Sequence, residues 1–156
     1  MRTNLKTFLL SLAAVVTLAS IHISASAQSP QSCYEGYVYL GEKEYKKSVS
    51  KLSNCLKSNN LTTDSRALAY YNRSVSYFFL FEEQEYVKKN SNKAEKYLYK
   101  AVEDIEKSID LDPTGNAKAY CMRGWIYLEL SFGFDGYEDL DKGIAMGAPK
   151  HLCDDS

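Results

Sequence analysis

One pattern recurs in three stretches of this 156-residue chain, and it restricts the fold more than any other feature. In Gly36-Tyr37-Val38-Tyr39, Ser74-Val75-Ser76-Tyr77 and Gly124-Trp125-Ile126-Tyr127 a small residue stands three positions before a Tyr. At 3.6 residues per turn that spacing puts both on one helical face. Each stretch is followed by a second series, small, large apolar, small and aliphatic, at offsets of four, three and one. The series is Ser48, Leu52, Cys55, Leu56, then Ala101, Ile105, Ser108, Ile109, then Gly136, Leu140, Gly143, Ile144.

Small residues in such a register have a physical use. Two helices approach closely only where side chains do not hold the backbones apart, and the large residue then fills the adjacent groove. The pattern therefore predicts antiparallel helical hairpins and an all-α chain. Asp112-Pro113 marks the end of the second hairpin and Gly147-Ala148-Pro149 the end of the third.

With these residues in place, the chain resembles the tetratricopeptide repeat family. The third unit carries the likeness best, through Tyr120, Gly124, Tyr127, Gly136, Leu140, Gly143, Ile144 and Pro149. The second carries it through Tyr70, Ser74, Tyr77, Ala101, Ile105, Ser108, Ile109 and Pro113. The first is weaker, with Ser32 where a large residue is usual and no closing Pro. The resemblance implies a right-handed superhelix of three hairpins, an α-solenoid, with units at about 29–62, 66–113 and 117–149 and a short tail at 150–156. Its packing positions include Gly36, Tyr39, Ser48, Leu52, Ser74, Tyr77, Ala101, Ile105, Gly124, Tyr127, Gly136 and Leu140.

The spacing is irregular. The anchors Gly36, Ser74 and Gly124 lie 38 and then 50 residues apart, against a family period of about 34. The larger excess falls between Tyr77 and Ala101, where both helices of the second hairpin are expected to run about two turns longer than usual. The tip is expected near Asn90-Ser91-Asn92, with Asn92 and Glu95 as a helix-starting cap.

Residues 1–27 read as a secretory signal: Arg2 and Lys6, an apolar run from Phe8 to Ala19, and the small-x-small close Ala25-Ser26-Ala27. The expected product is an exported domain at 28–156, periplasmic or secreted, with no membrane span after cleavage. With 19 Lys+Arg against 20 Asp+Glu the chain has a formal charge of −1. That balance offers no general basic field for nucleic acid, and losing Arg2 and Lys6 makes the chain more acidic.

An exported chain with an even number of Cys favours disulfides. Cys33 and Cys121 each precede a small anchor by three residues, while Cys55 and Cys153 fall late in, or just past, the second helix of the same hairpin. An antiparallel hairpin sets those regions side by side, so the expected bridges are Cys33–Cys55 and Cys121–Cys153. The residue before each anchor and the residue three past the second-helix small position have opposite charges in every unit. This predicts the ion pairs Glu35–Lys51, Arg73–Asp104 and Arg123–Asp139.

In the family the first helices line the inner groove of the superhelix. Carried onto this chain, the groove consists of Tyr34, Tyr37, Leu40, Tyr71, Asn72, Val75, Phe78, Phe79, Met122, Trp125 and Leu128. The set is aromatic rather than charged, which suits recognition of a peptide or helix by apolar contact. Family members that grip a chaperone's terminal carboxylate use a Lys/Asn clamp. Asn72 and Lys118 match it, but Cys33, Tyr37 and Met122 replace its other polar residues. No catalytic set, metal-ligand spacing or cofactor motif is present, and His151 is the one His after residue 27. The expected function is a noncatalytic protein-interaction scaffold with a protein or peptide partner. The alternatives are a self-associating, homo-oligomeric envelope component and a small hydrolase or ligand-binding protein on a repeat scaffold.

Overall fold

The computed structural model describes residues 30–154, so the signal expected at 1–27 lies outside the described residues. The described chain is all-α, without a strand: α1 (Gln31–Gly41), α2 (Tyr45–Leu56), α3 (Thr63–Glu82), α4 (Ser91–Leu111), α5 (Ala117–Glu129) and α6 (Gly133–Ala145). Short turns join α1 to α2, α3 to α4 and α5 to α6, and each pair packs side by side as a hairpin. The hairpins meet through second-helix to first-helix contacts, α2 on α3 and α4 on α5.

Helix starts follow local chemistry. Thr62 caps α3, its Oγ1 accepting from the Ser65 N–H at 3.1 Å, so the helix begins three residues ahead of the expected 66. The second hairpin has the long helices that its spacing predicts, α3 with 20 residues and α4 with 21. Its cap is Asn90 rather than Asn92, with the Asn90 side chain accepting from Lys93 N–H at 3.3 Å. A π-helical turn, Glu83–Val87, follows α3 and carries the buried Gln84 inward. In the first and third hairpins the connection is a left-handed residue, Lys43 (φ 61°) or Ser131 (φ 64°). The next amide reaches back five residues, Glu44 N–H to the Tyr39 carbonyl at 2.9 Å and Phe132 N–H to the Tyr127 carbonyl at 2.8 Å.

The small residues do what their spacing implies. A Cβ on Gly124 would stand 2.8 Å from the Gly136 carbonyl oxygen, so the two backbones of the third hairpin touch there. Where the small residue is Ser, its hydroxyl also binds across the seam. Ser48 donates to the Gly36 carbonyl at 2.8 Å, Ser74 to Ala101 at 2.8 Å and Ser108 to Ala67 at 2.9 Å. The main core runs through α3, α4 and α5, from Tyr77 and Leu80 through Leu98, Ala101, Ile105 and Ile109 to Ala119, Tyr120 and Ile126. Smaller clusters lie around Leu52 and Leu140. Tyr39 and Tyr127 remain half-buried, their rings under Lys47 at 5.6 Å and Arg123 at 5.5 Å.

Both disulfides form as expected, Cys33–Cys55 and Cys121–Cys153, and fit an oxidising compartment. All three ion pairs form as well. Glu35 and Lys51 meet at 2.5 Å. Arg73 grips Asp104 with two bonds of 2.6 and 2.7 Å, and Arg123 grips Asp139 with two of 2.6 and 2.8 Å. Among the described residues no helix is long and apolar enough to cross a membrane.

Candidate functional site

The helices α1, α3 and α5 lie side by side, α3 touching both of the others, and their shared face carries the residues singled out for binding. Helical spacing explains the grouping. On α3, Leu68, Tyr71, Asn72, Val75, Phe78 and Phe79 follow one another at intervals of one or three and share a stripe. The stripe is uneven in depth. Tyr34, Tyr37 and Phe79 are exposed, Tyr71, Val75, Phe78, Met122 and Trp125 are half-buried, and Asn72 is buried.

Three adjoining hollows divide the face. The first, about 310 Å³, lies between the first and second hairpins and is walled by Cys33, Tyr34, Tyr37, Leu68, Ala69 and Asn72. The second, about 290 Å³, is walled by Tyr71, Val75, Phe78, Phe79, Met122 and Trp125, together with Lys118 and the tail residues His151 and Leu152. A wider one of about 580 Å³ shares Tyr37, Leu68 and Asn72 with the first and Tyr71 and Lys118 with the second, and so makes them one track. Every residue named above for the groove, apart from Leu40 and Leu128, lines this track. Burial pushes the Tyr71 phenol above its ordinary pKa.

Two walls were not legible beforehand. Leu68 is largely exposed and lies one turn before Tyr71, where extending the helical stripe backwards would have found it. The tail was the larger omission. Residues Lys150–Leu152 form a 3-10 turn, and the Cys121–Cys153 bridge ties that turn against α5. The Trp125 indole N–H donates to the Leu152 carbonyl at 2.9 Å, so its polar edge is spent internally and the ring offers apolar surface.

A separate hollow of about 440 Å³ lies where the tip of the second hairpin meets the third. There the Tyr86 hydroxyl donates to Glu129 at 2.9 Å. Burial, with that bond, pushes the Tyr86 phenol up to about 12. Burial and the Glu129 charge raise the nearby Glu82 carboxyl. Among the described residues no three His, Cys, Asp or Glu side chains gather as a metal-holding group. Compared with known proteins, the chain matches no family model, and no curated protein or solved structure is significantly similar to it.

Proposed function

We propose that this chain is an exported, noncatalytic protein-interaction module of the tetratricopeptide type. Its three hairpins form a right-handed superhelix whose inner groove receives a peptide or helix of a partner protein. The observation that carries the reading is the track of adjoining hollows across α1, α3 and α5, mainly apolar in the two smaller hollows and mixed in the wider one that joins them, with Tyr34, Tyr37 and Phe79 exposed along it. Exposed aromatic side chains on a rigid helical surface supply large contact area at low entropic cost, which is what binding hot spots favour. The two disulfides support an oxidising destination, because reducing compartments do not maintain such bridges.

The test is a pull-down from the exported fraction with wild type and a Tyr37→Ala/Phe79→Ala variant. Neither side chain is in a buried core cluster, but Phe79 stacks on Tyr45 at 4.8 Å, so a thermal melt of the variant accompanies the pull-down. Loss of the captured partner is expected, and an unchanged partner set would overturn the groove assignment.

A further inference from the structure

The repeat allows each hairpin's outer face to be compared with the other two at matching positions. On α2, the residues one, five and eight past the small Ser48 are Val49, Ser53 and Leu56; on α4, past Ala101, they are Val102, Glu106 and Ile109. In both hairpins the first helix of the next one covers this face. Val49, Val102 and Ile109 pack into the main core, and Leu56 packs with Ala69 of α3.

The middle position receives a hydrogen bond from that covering helix each time. Arg73 Nη1 of α3 donates to Ser53 Oγ at 2.9 Å, and the Tyr127 hydroxyl of α5 donates to Glu106 at 3.2 Å.

On α6 the same three positions are Tyr137, Asp141 and Ile144. They line a hollow of about 390 Å³ that the tail borders through Cys153 and Asp154 without closing. Tyr137 is 64% exposed and Ile144 37%, where its counterpart Ile109 is 6% exposed. Among the described residues Asp141 receives no hydrogen bond. Glu138 is exposed beside this face, and the one cation of α6, Lys142, lies 4.1 Å over the Tyr120 ring.

We infer that this outer face of α6 docks an amphipathic helix of another polypeptide, apolar toward Tyr137 and Ile144 and carrying Arg or Lys opposite Asp141. The cation follows from charge complementarity with Asp141 and the neighbouring Glu138, and the helix from what covers the matching faces of α2 and α4. A second copy of this chain fits poorly. Its α1 would bring Tyr39 to the place of Tyr127, but also Glu35 to the place of Arg73, against Asp141, with Gln31 and Glu42 where α3 has Ala69 and Leu80. Pairing two α6 faces would set one Asp141 against another.

The docking face is the outer side of α6, although its hollow is also walled by Trp125 and Leu128, two of the groove residues. The test is an NMR titration of the isotope-labelled exported protein, disulfides intact, with a synthetic peptide copying residues 62–82, the helix that carries Arg73. Shift changes are expected around Tyr137, Asp141 and Ile144. Asp141→Asn, at an exposed position, should weaken binding about tenfold, and an Asp141→Arg protein should recover binding to the peptide bearing Arg73→Glu. No perturbation at millimolar peptide, perturbation confined to α1 and α3, or indifference to the charge swap would overturn it. So would concentration-dependent sedimentation of the protein alone that Tyr137→Ala/Ile144→Ala abolishes, since a second copy would then be the occupant.

Discussion

Ser48 and Ser76 meet Oγ to Oγ at 2.8 Å across the seam between the first and second hairpins. Ser48 is also 2.8 Å from the Gly36 carbonyl, and Ser76 is 2.8 Å from the Asn72 carbonyl of its own helix. Three short contacts share two hydroxyl protons, so one contact lacks a proton at any moment. The two serines are therefore not equivalent, although both are fully buried.

Ser48→Ala removes the hydroxyl bond that ties α2 to α1 and is expected to cost about 1 kcal/mol. Ser76→Ala leaves Ser48 free to donate to Gly36 without competition, and its cost should stay within about 0.5 kcal/mol. Urea unfolding midpoints at constant m-value check the order, and equal losses would contradict it.

The three ion pairs should differ sharply in worth. Asp104 is 2% exposed and its carboxylate is held by two nitrogens of Arg73, Nε and Nη2, so Arg73→Ala strands a buried charge and is expected to cost about 3 kcal/mol. The Glu35–Lys51 pair is far more open to solvent, and Lys51→Ala should cost much less than Arg73→Ala. Double-mutant cycles on each pair measure the difference directly.

Glycine placement makes a second contrast. Gly124→Ala pushes a methyl against the Gly136 backbone carbonyl and is expected to cost about 1–3 kcal/mol. At Gly41 nothing lies within 4 Å of the added methyl, so Gly41→Ala should be neutral or stabilising by up to about 1 kcal/mol. Lys43→Gly removes the strain of a left-handed non-glycine residue and should also stabilise. Thermal melts of the three variants would rank them.

Each disulfide closes a long loop, 22 or 32 residues, and removing either is expected to cost about 3–4 kcal/mol. Trp125, the sole Trp, separates the two bridges optically. A Cys121→Ala/Cys153→Ala protein frees the tail whose Leu152 carbonyl binds the indole, and emission should shift to the red. The Cys33→Ala/Cys55→Ala protein should keep the wild-type spectrum in its folded state.

Glu82 links stability to pH. Burial and the Glu129 charge raise its folded-state pKa above 4.5, so the folded protein holds the Glu82 proton to higher pH than the unfolded chain does. Its contribution is fully present below about pH 4.5, declines as pH rises through the raised folded value, and is absent at neutrality. Glu82→Gln should therefore raise the melting temperature at pH 7, with the gain vanishing below pH 4.5. A constant gain across that range would remove Glu82 as the cause.

Much of the architecture was legible because it depends on contacts at fixed helical offsets. The seam of Gly124 with Gly136, the Arg123–Asp139 pair and the Cys33–Cys55 bridge each join residues whose register one antiparallel hairpin sets. Turns and caps were less legible, since several residue types satisfy them. Lys43 adopts the left-handed conformation two residues after an available glycine, and Asn90 caps α4 where Asn92 was an equal candidate in sequence. The π-helical turn at Glu83–Val87 left no sequence signal, because it differs from an α-turn by one shifted hydrogen bond.

By itself, then, the sequence determined that the chain is helical, where its helices pair and which cysteines and charges meet within each hairpin. Side-chain offsets along a helix are local geometry, and local geometry can be counted along the chain. Only the tertiary structure decided which aromatic side chains remain in solvent. Tyr37 and Phe79 stay exposed while Asn72 is buried on the same stripe, and Ile144 lies open where Ile109 is covered. Exposure at those positions depends on whether another helix, or the Leu152 tail, arrives from elsewhere in the chain, and no offset within a single helix encodes that arrival.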